Sequence, residues 1–132
     1  MVDVANVMGA RPDGWWRDRV GAALRLCRDV ARLAASGVPA ERMPAGLSAP
    51  GVWVLVLEGR ARQAGPLLAD MPPSVRVVSA PGSGDDAIVA EAAVDSVDGG
   101  ACLVVTADRE LRRRCEELGA VVVGPGWLLG LL

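Results

Sequence analysis

Gly51-Val52-Trp53-Val54-Leu55-Val56-Leu57 is a continuous apolar run rich in β-branched residues. A strand that alternates apolar and polar residues has one wet face. A run with no polar position belongs to a strand covered on both faces, the usual situation in a parallel sheet. Ala101–Val105 (ACLVV) and Ala120–Val123 (AVVV) read the same way, and Val75–Ser79 (VRVVS) is a fourth strand with one charged position. Between these strands the apolar period changes from two to that of a helix. Trp15–Ser36 places Val20, Ala23, Leu24, Cys27, Val30, Ala31 and Ala34 at helical spacing. Asp85–Val97 carries a broad stripe through Ile88, Val89, Ala92, Ala93 and Val97, and Arg109–Leu118 puts Leu111, Cys115 and Leu118 on one face. Gly37 and Gly119 stand where helix C-caps are expected. Strands alternating with helices predict an α/β fold, three layers α/β/α, around a mostly parallel sheet.

Arg11-Pro12-Asp13-Gly14, the stretch Gly37–Pro50 and Pro72-Pro73 mark loops, and Gly65-Pro66 leaves Arg60–Asp70 ambiguous. No repeat or second domain is visible, so residues 1–132 are expected to form one domain. The start is unusual. Asp3 lies where a first strand should end, yet only Met1 and Val2 precede it, whereas a central strand normally needs about five residues. Either this strand is very short, or a start placed too far downstream has removed part of it.

Composition limits the chemistry. The chain has 132 residues, a net charge of −2 and no His, Tyr or Phe; it also has no Lys, so all 14 basic residues are arginine. Without His there is no Ser-His-Asp or Cys-His nucleophile, and without Lys no Walker A loop and no Schiff base. Catalysis must then rest on carboxylates, arginine, hydroxyls, thiols, backbone or a bound metal. The three cysteines, Cys27, Cys102 and Cys115, are widely spaced and form no C-x-x-C pair, which suits reduced core residues of a cytoplasmic protein. No long apolar span and no basic–apolar leader is present, so no membrane partner is expected. The Arg-only, Ala/Val/Gly-rich bias fits a GC-rich bacterial genome.

Ligands of open parallel sheets bind beyond the carboxyl ends of the strands. Acidic residues recur there: Asp3, with Asn6 three residues on, then Glu58, Asp85, Asp86 and Asp108. Converging carboxylates repel one another, and a hard divalent cation, Mg²⁺ or Mn²⁺, removes that cost. Each acid also has a plainer reading. Asp85 or Asp86 can N-cap the third helix, Asp108 can cap the fourth, and Glu58 can pair with Arg60 or Arg62. Capping explains less well why Asp3 shares the rim.

Taken in order, Asp3-x-x-Asn6-Val7, Gly84-Asp85-Asp86-Ala87-Ile88-Val89 and Val105-Thr106-Ala107-Asp108-Arg109-Glu110-Leu111-Arg112 resemble the three acidic motifs of PIN-like ribonucleases of the NYN branch. Arg11-Pro12-Asp13-Gly14-Trp15-Trp16-Arg17-Asp18-Arg19 resembles a segment of small actinobacterial NYN-like proteins. The resemblance implies a three-layer parallel fold and Mg²⁺- or Mn²⁺-dependent endonucleolytic cleavage of RNA. It matches Asp3, Asp85 and Asp108 to metal-binding positions, Asp86 to the second acid of the Asp-Asp pair, and Asn6 to the Asn that supports the first Asp. Glu58, from its place at a strand end, and Thr106, beside Asp108, are further supporting candidates of this sequence. A further acidic position of some relatives, one turn into the third helix, is Val89 here, with Glu91 in another register.

Arg11, Arg17 and Arg109 are the expected phosphate contacts of a single-stranded RNA partner, because they flank the proposed rim and arginine binds phosphate bidentately. Trp15 and Trp16 can stack on bases, or can pack, one inward and one against a loop. Arg112–Arg114 with Glu116 and Glu117 also reads as a solvated helix face. The apolar end Gly124–Leu132 is expected to pack over the sheet edge as a short helix; its other reading is a partner or homodimer surface. Two other functions fit the same acids: a non-catalytic PIN-like module that binds RNA or protein, and a metal-dependent phosphatase or nucleotide hydrolase. The latter lacks an Asp-x-Asp pair for an aspartyl-phosphate route.

Overall fold

A computed structural model describes all of residues 1–132. The strands are β1 (Val2–Asp3), β2 (Trp53–Leu57), β3 (Val75–Ser79), β4 (Leu103–Val105) and β5 (Val121–Val123). The helices are α1 (Val4–Ala10), α2 (Arg19–Ser36), α3 (Gly84–Val97), α4 (Arg109–Glu117) and α5 (Pro125–Leu129). All strand pairs are parallel, in the order β3-β2-β1-β4-β5. The sheet grows outward from β1 in both directions, so the crossover direction switches between β1 and β4. Doubly wound sheets open a crevice at that place, beyond the strand ends.

Two-sided burial explains the unbroken apolar runs. Trp53, Leu55 and Leu57 point into a core with Val4, Val7, Leu26, Val30 and Leu128, supplied by α1, α2 and α5. Val54, Val56 and Val104 point the opposite way, onto Ile88 of α3 and Leu111 and Cys115 of α4. Fully burying a side chain such as Ile88 or Leu111 contributes about 1.5–3 kcal/mol each. Cys27, Cys102 and Cys115 are free thiols buried in these two cores.

The central strand is two residues long. Val2 lies opposite both Leu55 and Val105, the Val105 amide donates to the Met1 carbonyl at 2.9 Å, and the Met1 ammonium donates to the Leu103 carbonyl at 2.6 Å. One expectation needs correction and two unassigned segments are filled. Helix α1 starts immediately after Asp3, where the sequence alone assigns no element beyond the strand stub. The helix expected from Trp15 starts at Arg19, because Trp15–Arg17 is a 3-10 turn and Asp18 leaves helical geometry to cap α2, its Oδ1 accepting from the Gly21 amide at 2.8 Å. The ambiguous Arg60–Asp70 region is largely a 3-10 helix, Gly59–Leu68, which carries Pro66. Gly37 closes α2 at φ 84°, and Gly119 follows α4 at φ 83°, a backbone region open to glycine without strain.

At the C-terminus, Leu128 is fully buried and the Trp127 indole N–H donates to the Arg42 carbonyl at 2.7 Å, so this apolar end packs on the α1–α2 side of the sheet. No helix is long and apolar enough to cross a membrane.

Candidate functional site

The chain has only two buried polar side chains, Asp3 and Thr106, and they touch. Asp3 ends β1 and caps α1, its Oδ1 accepting from the Asn6 amide at 3.2 Å. Its Oδ2 accepts from the Thr106 hydroxyl at 3.0 Å, across the switch point between β1 and β4. The same hydroxyl oxygen accepts from the Asp108 amide at 3.1 Å, and Asp108 Oδ1 accepts from the Leu111 amide at 2.9 Å, capping α4. Asn6 supports the rim in a way its motif position does not show. Its backbone N–H holds Asp3, while its side-chain carbonyl accepts from the Ala107 amide at 2.8 Å. The ends of β1 and β4 are thereby tied into one hydrogen-bonded unit.

Asp85 and Asp86 lie in the first turn of α3, where the helix dipole favours negative charge. Neither caps the helix: the N-cap is Ser83, which makes no side-chain cap. Glu58, at the end of β2, caps it from another segment, its Oε2 accepting from the Gly84 amide at 2.7 Å. Pairing of Glu58 with Arg60 or Arg62 does not occur; Arg62 instead donates to the carbonyls of Gly59, Ala80 and Pro81. A Cβ at Gly84 would stand 2.9 Å from Glu58 Oε2, so the small residue permits this close approach.

Electrostatics show which acids face one another. Burial pushes the Asp3 carboxyl up to about 6, the hydrogen bonds from Asn6 and Thr106 oppose the shift, and the charges of Asp85 and Glu58 add to it. Asp85 is also raised, first by burial and then by Asp108 and Glu58, with Arg114 pulling the other way and Asp86 adding a little. Asp85 and Glu58 thus repel Asp3, and Asp108 and Glu58 repel Asp85, which places Asp85 at the centre of the group. Asp85 makes no hydrogen bond or ion pair with the protein, whereas the other three each have an oxygen engaged by a backbone amide. As placed, no three acids stand close enough to ligate one ion. Asp86 turns outward and pairs with Arg114 at 3.0 Å. Arg114 is a rim residue that sequence reading missed, because the α3–α4 contact bringing it to Asp86 has no local signature. Glu91, the acid nearest Val89, is held by Arg76 of β3.

The three arginines expected at phosphate differ in setting. Arg11 pairs with Asp29 of α2 at 2.5 Å. Arg17 is exposed, its guanidinium 5.9 Å from the Trp16 ring centroid. Arg109 is exposed at the first position of α4 and pairs with no carboxylate. Trp15 packs against the core, while Trp16 is 58% exposed. Compared with family models, curated proteins and solved structures, the chain finds no match in any of the three.

The donor set suits a hard divalent cation. It is all oxygen, anionic and self-repelling, and Asp85 has both oxygens uncommitted. Asp85 and, around it, Asp3, Asp108 and Glu58 are the residues that could contribute oxygens to such an ion, and they would have to draw closer than they stand to share one.

Proposed function

We propose that this chain is a PIN-like, NYN-type endoribonuclease that cleaves single-stranded RNA with Mg²⁺ or Mn²⁺. The observation that carries the reading is the group of carboxylates from four chain segments at the switch point of a parallel sheet, with Asp3 buried and its carboxyl raised to about 6. Unneutralised, this arrangement is costly; a cation turns the cost into binding energy. Held by Asp3, Asp85 and Asp108, a divalent cation would supply an activated water and charge stabilisation for the phosphodiester. The protein's own part is to orient and to attract. Thr106 and the Asn6 amide fix the two oxygens of Asp3, so its carboxylate keeps one orientation. Asp85 has lone pairs free to position a water. Arg109, next to Asp108, supplies a cation for the flanking phosphate. Histidine and lysine are not needed for any of these roles, in keeping with their absence.

The test is cleavage of labelled single-stranded RNA with Mg²⁺ or Mn²⁺ by the wild type, Asp85→Asn and Asp108→Asn. Activity in the wild type alone, abolished by EDTA, supports the reading. Equal cleavage by all three, or cleavage in EDTA, overturns it.

A second reading, a non-catalytic RNA-binding module, is favoured by the commitment of Asp3, Asp108 and Glu58 to backbone amides, which already gives each a structural task. RNA binding by wild type and Asp108→Asn alike, with no cleavage under either metal, selects it.

A further inference from the structure

Half of the arginines are held by carboxylates, as in Arg11–Asp29 and Arg114–Asp86, and Arg62 is held by carbonyls. Three that are held by neither, Arg17, Arg19 and Arg60, line one open hollow of about 420 Å³ with Trp16, Asp18 and Gln63. Asp18 is the only acid there, and one of its oxygens caps α2. The hollow is therefore net positive. Its place follows from topology. Arg60 comes just after the carboxyl end of β2, and the hollow brings residues 16–20, at the start of α2, beside it. The hollow thus opens at the same end of the sheet as the carboxylates.

Trp16 is the second unusual feature. Trp53 is 4% exposed, as a large apolar ring normally is, yet Trp16 is 58% exposed. It has aromatic and cationic neighbours. Trp15 packs on the core and meets the Trp16 ring edge-on, with centroids 6.1 Å apart. Arg19 stands 5.3 Å from the Trp15 ring centroid and Arg17 5.9 Å from that of Trp16, so both guanidinium groups have aromatic neighbours. A flat apolar surface among uncommitted bidentate cations matches a ligand that is itself flat and anionic.

We propose that this hollow is a subsite for one nucleotide of single-stranded RNA, its base stacked on Trp16 and its flanking phosphates on Arg17, Arg19 and Arg60. Gln63 offers an amide donor and acceptor to the base edge. The choice of RNA rests on the ribonuclease reading above; the hollow's chemistry alone asks for an aromatic anion. An acidic peptide would satisfy the arginines and leave Trp16 uncovered.

The test is fluorescence anisotropy of a labelled 2′-O-methyl oligouridylate eight-mer in EDTA, where metal-dependent cleavage plays no part. The expected result is saturable binding that weakens about tenfold in Trp16→Ala, the typical effect of losing one stacked base. Two neutralised phosphates, one on each side of the stacked base, give a salt slope of about −1.4, and Arg19→Ala/Arg60→Ala, which leaves Arg17 alone, makes it shallower by about 0.7. All three substituted residues are exposed, so unchanged thermal melts will show that the variants fold. The proposal is overturned if the wild type does not bind, if the variants bind as it does, or if an abasic oligomer or polyglutamate competes as well as the oligouridylate. A wild type that binds in EDTA but cleaves no RNA with Mg²⁺ or Mn²⁺ removes the catalytic reading and keeps the subsite.

Discussion

Replacing Asp3 with Asn should make the metal-free protein more stable at neutral pH, although it removes a native side chain from a buried network. The Asp3 carboxyl is raised from 3.8 to about 6 by folding, mainly through burial. The folded state therefore holds a proton that the unfolded chain has released, so stability falls as pH rises from about 4 through about 6. A shift of about two units at 1.36 kcal/mol each amounts to about 3 kcal/mol, of which about 2 kcal/mol falls between pH 4.5 and 7.5. Asn is nearly isosteric and a good N-cap, so it keeps the bond from the Asn6 amide and can donate to Thr106 Oγ1. It carries no charge to desolvate. The assay is urea unfolding followed by tryptophan fluorescence, in EDTA, at several pH values. The quantity of interest is the wild-type free energy minus that of Asp3→Asn, since titration of carboxylates distant from Asp3 cancels in this difference and what remains is Asp3 with its coupling to Asp85 and Glu58. It should drop by about 2 kcal/mol from pH 4.5 to 7.5. A flat difference would mean that Asp3 is not desolvated by folding, and the electrostatic argument for the site would fail.

Glu58→Ala should cost about 1 kcal/mol, because the Gly84 amide loses a charged acceptor, and Glu58→Gln should recover most of it; denaturant midpoints check both. Arg11→Ala should lower stability by roughly 1 kcal/mol by breaking a half-buried pair with Asp29, and leave oligonucleotide affinity unchanged in the anisotropy assay. Leu111→Ala, at a fully buried position between α4 and the sheet, should cost about 2–5 kcal/mol in the same unfolding measurements.

Most of the sheet was legible because burial on both faces leaves a mark in the sequence. Trp53–Leu57 is apolar throughout since each residue meets one of two cores, and Val75–Ser79 keeps Arg76 where β3 forms the edge of the sheet. The acids at the strand ends were legible for a related reason: strand ends in a parallel sheet all open onto one rim. Features set by local turn chemistry were harder to read. Asp18 breaks the helical pattern by capping α2, yet Trp15 and Arg17 beside it keep an apparent helical period. Helix α1 is too short for periodicity to reveal, and its start is fixed by Asp3, a residue whose sequence position suggested other work. Contacts between distant segments left no mark at all. That Glu58 caps α3, that Asn6 holds Ala107 and that Arg114 holds Asp86 depend on which elements become neighbours.

The proposed function requires Asp3, Asp85 and Asp108 to hold a divalent cation at the switch point between β1 and β4. A crystal grown or soaked with Mn²⁺ and measured for anomalous scattering tests it most directly. A peak is expected at that rim, about 2.1 Å from carboxylate oxygens of at least two of these residues, including Asp85, and no such peak in Asp85→Asn. A rim without a peak at millimolar Mn²⁺, with Asp3 still bonded to Thr106 and Asp108 still capping α4, would contradict it.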